Sequence, residues 1–144
     1  MNLQSKLPDV GTTIFTIMSR LATEHNAINL SQGFPDFDAD PALIQAVSEA
    51  MAKGQNQYAP MPGLPDLNVA IAQKLHGDYG WMPDPETEIT VTAGGTQALY
   101  SIIGAMISQG DEVIVLEPSY DSYIPSVVSF GGVVKTVQLL PPLY

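Results

Sequence analysis

The chain has 144 residues, 45% of them hydrophobic and 14% charged, a composition typical of a folded domain. Fifteen acidic residues stand against five Lys and Arg, and the formal net charge of -10 argues against nucleic acid and anionic membrane surfaces as partners. The absence of cysteine excludes disulfides and thiol chemistry. No signal-peptide pattern is present and no apolar run reaches the about 18 residues of a membrane span, so we expect a cytoplasmic protein.

The first part of the sequence predicts an arm, a helix and a loop. Residues 1–10 show no periodic pattern, and a helix is predicted to start after Thr12 or Thr13, either of which could cap it. An extended piece at 28–30 leads into a loop at 31–38 that contains glycine and proline. The helix has one apolar face, formed by Ile14, Phe15, Met18, Leu21 and Ala22.

Two further helices are predicted in the next fifty residues. Asp40 is a good cap and Pro41 a good first residue, so the second helix is predicted to run from there to Lys53, before Gly54. The third is predicted at about 65–79. The apolar face of the second helix is predicted to be formed by Leu43, Ile44, Val47, Ala50 and Met51. In the third helix the residues predicted to point inward are Leu67, Ile71 and Leu75.

The rest of the chain alternates strand and helix patterns. Strands are predicted at 89–92, 113–116 and 133–137, with helices at 96–108 and 120–130 between them. The continuous apolar run at 113–116 is typical of a strand covered on both faces, as in a parallel sheet. This order predicts a βαβ series with ligands at the carboxyl ends of the strands.

Two glycines and a threonine, Gly94-Gly95-Thr96, stand where the first of these strands turns into a helix. The first turn of a helix has unpaired N–H groups and the positive end of the helix dipole, and glycine lets an anion approach the backbone. The segment is the best candidate on the chain for binding a phosphate. A purely structural tight turn is the alternative.

Five blocks of sequence resemble the class I/II pyridoxal-phosphate aminotransferases, and within them the methionine and kynurenine/glutamine aminotransferases. The blocks stand in the family's order and spacing: NLSQGFPDF at 29–37, NQYAP at 56–60, TVTAGGTQAL at 90–99, GDEVI at 110–114 and EPSYDSY at 117–123. The resemblance covers essentially the whole chain but only about the first third of a family member. It implies an α/β fold: part of a fold type I large domain, with a parallel-type sheet and covering helices, at 41–144, after an N-terminal helical arm and small-domain segment at 1–40.

The resemblance also implies roles for individual residues. Backbone amides at Gly95 and Thr96 would bind the phosphate of pyridoxal 5'-phosphate, with Gln97 beside them, and Tyr120 would stack on the pyridine ring. Tyr58 would reach the partner subunit's phosphate across a homodimer interface. Without the resemblance, Tyr120 reads as a core or surface aromatic and Tyr58 as a loop residue packing on a proline.

Two substrate-binding positions follow from the same resemblance. The backbone of Gly33 would lie against the substrate carboxylate, and Phe15 would line the partner's substrate pocket. A turn glycine and an inward helix residue are the alternatives for these two positions.

The catalytic groups of the family have no counterpart in these 144 residues. None of the four lysines stands in the family's Schiff-base lysine motif, so we assign no catalytic residue and expect this chain alone not to transaminate. No metal site is expected, because His25 and His76 are isolated and the acids at 36, 38 and 40 lack the spacing of a calcium loop. If further polypeptide belongs with the chain, helices 40–53 and 96–108 would expose apolar faces.

The function expected from the resemblance is that of the N-terminal fragment of an aminotransferase. Such an enzyme moves an amino group from an amino acid, methionine or an aromatic-like one, to a 2-oxo acid. One alternative is a fragment of a pyridoxal-phosphate-dependent β-lyase of the cysteine-conjugate or cystathionine type. Another is a non-catalytic remnant or interaction module. A dinucleotide-binding domain lacks the third glycine of its motif and a fitting acidic residue.

Overall fold

The computed structural model describes residues 4–33 and 35–142, in which it contains five helices and a two-stranded sheet. The chain divides into two units, one made of Met1–Gly33 and Ala93–Tyr144 and the other of Phe34–Thr92. Residues 1–3 of the predicted arm, Phe34 of the predicted loop and the last two residues lie outside that description. The predicted domain boundary at residue 40 stays a prediction. No helix of the described residues is long and apolar enough to cross a membrane.

The first helix, α1 (Ile14–Glu24), starts where the sequence predicts. Thr13 is its cap, and its side chain accepts a hydrogen bond from Thr16 N at 3.3 Å. This bond satisfies one of the N–H groups that the first turn of a helix leaves unpaired. The helix ends at His25, and Asn26 takes a positive φ of 48° before the chain turns back.

The same unit contains α4 (Gly95–Met106), β1 (Glu112–Glu117), α5 (Tyr123–Ser129) and β2 (Val133–Gln138). The two strands pair in parallel, with Glu112 opposite Val133 and Glu117 opposite Gln138. The predicted parallel pairing of the last two strands is confirmed. Because α5 connects them, the segment is one βαβ crossover.

Helix α5 packs against β1, β2 and α4. Its Val127 is fully buried, and Val115 in β1 is buried as well. The approach of α4 to the end of α5 depends on Gly104, where an added Cβ would lie 2.5 Å from Phe130 Cζ. The Phe130 ring also contacts that of Tyr100, with centroids 4.9 Å apart. The small core of this unit therefore fits around glycine at position 104.

The prediction that β1 is covered on both faces is wrong for this chain. Val115 is buried, but its neighbours Ile114 and Leu116 are 70% and 54% exposed. Successive side chains of a strand point to opposite faces, and α5 covers only one of them. A cavity of about 380 Å³ lies along β1, lined by apolar side chains of α4, β1 and α5. The apolar run reflects a face for which the described residues supply no cover.

The second unit contains α2 (Pro41–Ala52) and α3 (Pro65–Tyr79), both close to their predicted bounds. Asp40 Oδ1 caps α2 by accepting from Ala42 N at 2.8 Å, and Gly54 follows the helix with φ 84°. No residue of α2 is buried. The exposed apolar faces expected for this helix and for α4 are confirmed: the exposed side chains include Leu43, Ile44, Val47, Met51, Ile102 and Met106.

The inward face of α3 differs from the predicted one. Ile71 and Leu75 are half-buried as expected, but Leu67 is 44% exposed and Asn68 is buried in its place. The Asn68 amide Nδ2 donates to the carbonyls of Pro62 and Pro85, at 3.3 and 3.2 Å. These two bonds tie the loops on either side of α3 to the helix and offset the cost of burying an amide.

The predicted strand at 89–92 does not form. Ile89 is buried, but residues 89–92 belong to no ladder of the described chain. The N–H of Val91 donates instead to the carbonyl of Pro62 at 2.9 Å. A β ladder needs a neighbouring strand, which the described residues do not provide here. Of the predicted strand–helix series that starts at residue 89, the structure contains α4 and the unit β1–α5–β2 but not the first strand.

Candidate functional site

The first turn of α4 is left open by the local sequence. Gly94 precedes the helix with φ 90° and ψ 163°, a backbone region that is essentially restricted to glycine. Among the described residues, no side chain caps this helix. The first helical bond runs from Ala98 N to Gly94 O at 3.3 Å, so the N–H groups of Gly95, Thr96 and Gln97 precede the helical ladder. Three adjacent donors at the positive end of a helix dipole favour an anion.

The space around this turn is open. An added Cβ on Gly94 or on Gly95 would meet no atom within 4 Å, and residues 93–97 are exposed. The turn is thus not buried in packing, and a ligand can reach its backbone. The role of this turn as a phosphate site stays a prediction, and a purely structural tight turn stays the alternative.

Thr96 and Tyr120 come together beside the turn. Their hydroxyl oxygens lie 3.1 Å apart, in a hydrogen bond in which either can be the donor. Hydrogen bonding to the Thr96 hydroxyl, and secondarily to Ser122, lowers the pKa of Tyr120 below its ordinary value of 10.0. The Tyr120 ring also meets Tyr123 edge-on, with centroids 5.8 Å apart. These contacts hold an aromatic ring next to the predicted phosphate site, although 24 residues separate the two hydroxyls in sequence.

Gln97, predicted among the cofactor contacts, has a local role in this structure. Its Oε1 accepts from Ala93 N at 2.6 Å and so closes the turn that leads into α4. This bond was not predicted from the sequence. The signal was a glutamine in the first turn, from which such side chains often reach back to a backbone N–H before the helix.

The carboxyl ends of β1 and β2 lie near Tyr120. Gln138 Nε2 donates to Glu117 Oε2 across these ends. A cavity of about 460 Å³ lies here, lined mainly by residues 117–121 and including Tyr120 and Gln138. Segment 117–121 therefore follows the carboxyl end of a parallel strand, where the sequence predicts ligand contacts.

The other predicted binding residues are not joined to this site by any contact recorded for the described residues. Phe15 is half-buried on α1, and Gly33 is exposed with no atom within 4 Å of an added Cβ. Tyr58 belongs to the second unit and its side chain is fully exposed. The expected roles of these three residues stay predictions.

Three of the four lysines form exposed ion pairs. Lys53 pairs with Glu49 at 3.5 Å and Lys74 with Asp78 at 2.5 Å, each one helical turn apart, and Lys135 pairs with Glu112 at 3.0 Å across the strands. Within 4–33 and 35–142, no group of three His, Cys, Asp or Glu side chains could hold a metal ion. The backbone of α4 is thus the clearest anion-binding feature of the described chain.

Comparison with known proteins gives a consistent result. The profile of the family "Aminotransferase class I and II" matches residues 25–142. Methionine aminotransferase of Escherichia coli is 57% identical over 139 residues, which are 96% of this chain and 36% of that protein. The probable N-succinyldiaminopimelate aminotransferase DapC of Mycobacterium tuberculosis H37Rv is 45% identical over 95% of this chain and 34% of its own length.

The structural comparison agrees with the sequence comparison. The crystal structure of the Escherichia coli methionine aminotransferase superposes with a TM-score of 0.93 at 56% identity, covering 99% of this chain and 37% of that one. The predicted α/β class, part of the aminotransferase fold, is confirmed, and enzymes of this family depend on pyridoxal phosphate. The chain spans about a third of the length of the relatives it matches. On its sequence and its fold, the chain belongs to the class I and II aminotransferase family.

Proposed function

We propose that this chain forms the phosphate-binding part of a pyridoxal-phosphate-dependent aminotransferase. The observation that carries the proposal is the open first turn of α4, with three N–H donors and Tyr120 beside it. The net charge of -10 adds weight to it, because a chain with so few cations needs backbone donors to hold a phosphate.

The residues present fit the cofactor at its phosphate end. The N–H groups of Gly95 and Thr96 would bind the phosphate oxygens, and glycine at 94 and 95 leaves them room to approach. The Tyr120 ring, held through Thr96, would supply a flat apolar surface for the pyridine ring. When bound, pyridoxal phosphate supplies the electron sink for chemistry at the amino acid's α-carbon. We assign none of the proton-transfer groups to this chain.

The proposed reaction moves an amino group from an amino acid to a 2-oxo acid. Methionine is the favoured donor, since the methionine aminotransferase is 57% identical and the DapC relative only 45%. An aromatic amino acid is the next choice. Gly33 would contact the donor's carboxylate, and Phe15 would line the substrate pocket of a partner subunit.

The assembly and its location belong to the same proposal. We propose a homodimer in which the exposed Tyr58 reaches the partner's phosphate, and its full exposure in the single chain supports this. Residues 1–40 would be the arm and a small-domain segment, and residues 41–144 part of the large domain. A cytoplasmic location is in keeping with a sequence without cysteine.

The first test is a calorimetric titration of the purified chain with pyridoxal phosphate and, separately, with NAD. We expect saturable binding of pyridoxal phosphate that inorganic phosphate weakens, and no binding of NAD. Binding of NAD alone, or pyridoxal phosphate binding that phosphate leaves unchanged, would contradict the proposed site.

The second test concerns the reaction. The protein expressed from its own gene is supplied with methionine and a 2-oxo acid, and the new amino acid is measured. Release of pyruvate and ammonia from sulfur-bearing amino acids would instead indicate a β-lyase. For the 144-residue chain alone, we expect neither turnover nor a lysine labelled by borohydride in the presence of pyridoxal phosphate.

A further inference from the structure

In the segment after α1, two polar side chains are half-buried and two large apolar ones are exposed. Asn29 and Gln32 are half-buried, whereas Ile28 and Leu30 are 86% and 90% exposed. On α1, Ser19 is half-buried too. Burial of apolar surface would favour the opposite arrangement. Burial of apolar side chains by the described residues therefore does not explain the conformation of residues 28–33.

The segment is connected to α1 by a network of side-chain hydrogen bonds centred on Ser19. Asn29 Nδ2 donates to Ser19 Oγ at 3.1 Å, and Ser19 Oγ donates to Gln32 Oε1 at 3.3 Å. Asn29 Oδ1 accepts from both the N–H and the hydroxyl of Ser31, at 3.1 and 2.6 Å. We call Ser19, Asn29, Ser31 and Gln32 the Ser19 network.

The directions of these bonds are determined by their chemistry. The backbone N–H of Ser31 can only donate, so the Asn29 atom facing it must be Oδ1. Asn29 therefore turns Nδ2 towards Ser19, whose oxygen accepts and whose single proton is left for Gln32. Each member has one consistent role, and Ser19 is the only helical residue among them.

Backbone hydrogen bonds do not connect residues 28–33 to α1 within the described residues. Ala27 N donates to Ala22 O at 2.8 Å, and this is the last backbone hydrogen bond recorded between α1 and the following segment within the described residues. Beyond it, the hydrogen bonds between α1 and residues 28–33 within the described residues are those of Asn29 and Gln32 to Ser19. Gly33 comes one residue after the last of these contacts.

We propose that Ser19 is a positioning residue that sets the backbone of residues 31–33, and with it the place of Gly33. The assignment of Gly33 as the contact for the substrate carboxylate rests on the proposed function. The positioning of residues 31–33 by Ser19 does not depend on that assignment and is tested separately. Removal of the Ser19 hydroxyl breaks two bonds together, whereas loss of Gln32 breaks one.

The test uses the ¹⁵N-labelled chain and three variants. Ser19→Ala removes the hydroxyl and is a good helix former, so α1 should persist. Ser19→Thr keeps the hydroxyl. Thr23→Ala is the matched control, since Thr23 Oγ1 donates to the Ser19 carbonyl at 3.0 Å and has no bond to residues 28–33. The readouts are the amide resonance of Gly33 and the exchange rate of the Ser31 N–H.

We expect Ser19→Ala to shift the Gly33 resonance, and to speed exchange at Ser31 because Asn29, which accepts from the Ser31 N–H, loses its own bond to Ser19. The increase should be at most about fivefold, the size expected if the Ser31 bond itself were lost. Thr23→Ala should change neither readout, and Ser19→Thr should restore both. If Ser19→Ala disrupts α1, Asn29→Ala gives the same test from the loop side. An unmoved Gly33 resonance in a folded Ser19→Ala or Asn29→Ala variant would overturn the proposal.

A separate titration isolates the functional assumption. Methionine is added to the protein expressed from its own gene, loaded with pyridoxal phosphate, and the Gly33 amide is monitored. A response at Gly33 that Ser19→Ala weakens supports both proposals. A Gly33 resonance that is unchanged by methionine but shifted by Ser19→Ala contradicts the substrate role of Gly33 and supports the positioning role of Ser19.

Discussion

Helices α2 and α4 have the same length, 12 residues, yet their first turns differ. In α2 the Asp40 carboxylate accepts from Ala42 N at 2.8 Å, and Pro41 supplies no N–H at all. In α4 no side chain of the described residues caps the turn, and a Cβ added at Gly94 or Gly95 would lie in open space. The chain thus supplies a carboxylate to the first turn of α2, and its described residues supply none to the first turn of α4.

This difference between the first turns of α2 and α4 indicates that the first turn of α4 is the one available to a ligand. A carboxylate at the cap of α2 satisfies donors and the dipole from within the chain. The donors of α4 have no such group, although the sequence is rich in acids. An uncapped first turn lowers the stability of the fold, and a bound phosphate would offset this cost. The following experiments address this contrast directly.

The largest effect is expected from Gly95→Pro, which deletes one N–H donor. Proline is well tolerated at the first position of a helix, so α4 should remain folded. A hydrogen bond to a charged group contributes about 1.5–3 kcal/mol, and we therefore expect pyridoxal phosphate affinity to fall by about tenfold or more. Calorimetric titration measures the affinity.

Gly95→Ala is the control for Gly95→Pro. It adds a side chain in open space and keeps the N–H, so binding should be weakened much less. Equal affinities for the proline and alanine variants would mean that the Gly95 N–H does not bind the phosphate.

The next effect concerns Gly94, whose φ of 90° and ψ of 163° disfavour any residue with a Cβ. Gly94→Ala should lower the free energy of unfolding by about 1–3 kcal/mol, because such strain is costly. Urea denaturation of this variant and of Gly95→Ala compares two neighbouring sites with equal room. A Gly94→Ala variant as stable as the unsubstituted chain would show that the turn relaxes without loss.

Asp40→Ala removes the carboxylate that caps the first turn of α2. Loss of the cap should cost about 1 kcal/mol in the free energy of unfolding, with no change in phosphate affinity. Asp38→Ala is the matched control, since Asp38 is an exposed acid two residues away. If Asp40→Ala weakened phosphate binding as much as Gly95→Pro does, the contrast between the two helices would be lost.

The smallest effect is expected from Thr96→Val. The Thr96 hydroxyl is the main cause of the lowered Tyr120 pKa, so the variant should raise that pKa towards 10.0, and Ser122→Ala should raise it less. Because the folded pKa lies below the unfolded one, ionised Tyr120 stabilises the fold only at alkaline pH. That gain disappears as the pH falls through the folded pKa. Titration of the tyrosinate absorbance measures the shift, and the opposite order of the two variants would contradict it.

Features determined by neighbours in sequence could be predicted. The caps Thr13 and Asp40 and the bounds of α3 depend on local hydrogen bonds and backbone preferences, and they appear where expected. The open turn at Gly94 and Gly95 was found for the same reason. Parallel pairing of β1 and β2 follows from the length of the connecting segment.

Features that depend on distant residues were missed. Strand formation at 89–92 needs a partner strand, and cover for Ile114 and Leu116 needs a second layer. The burial of Asn68 in place of Leu67 depends on carbonyls of Pro62 and Pro85, six and seventeen residues away. The bond between Thr96 and Tyr120 spans 24 residues, which no local pattern encodes.

The close packing of Gly104 against Phe130 couples the positions of α4 and α5. Any side chain at position 104 must displace the Phe130 ring, which is also held by Tyr100. Tyr120 is three residues before the start of α5, and Thr96 is in the first turn of α4. A larger side chain at position 104 would therefore alter the packing of α4 against α5, the two helices whose first turns contain Thr96 and lie next to Tyr120, respectively.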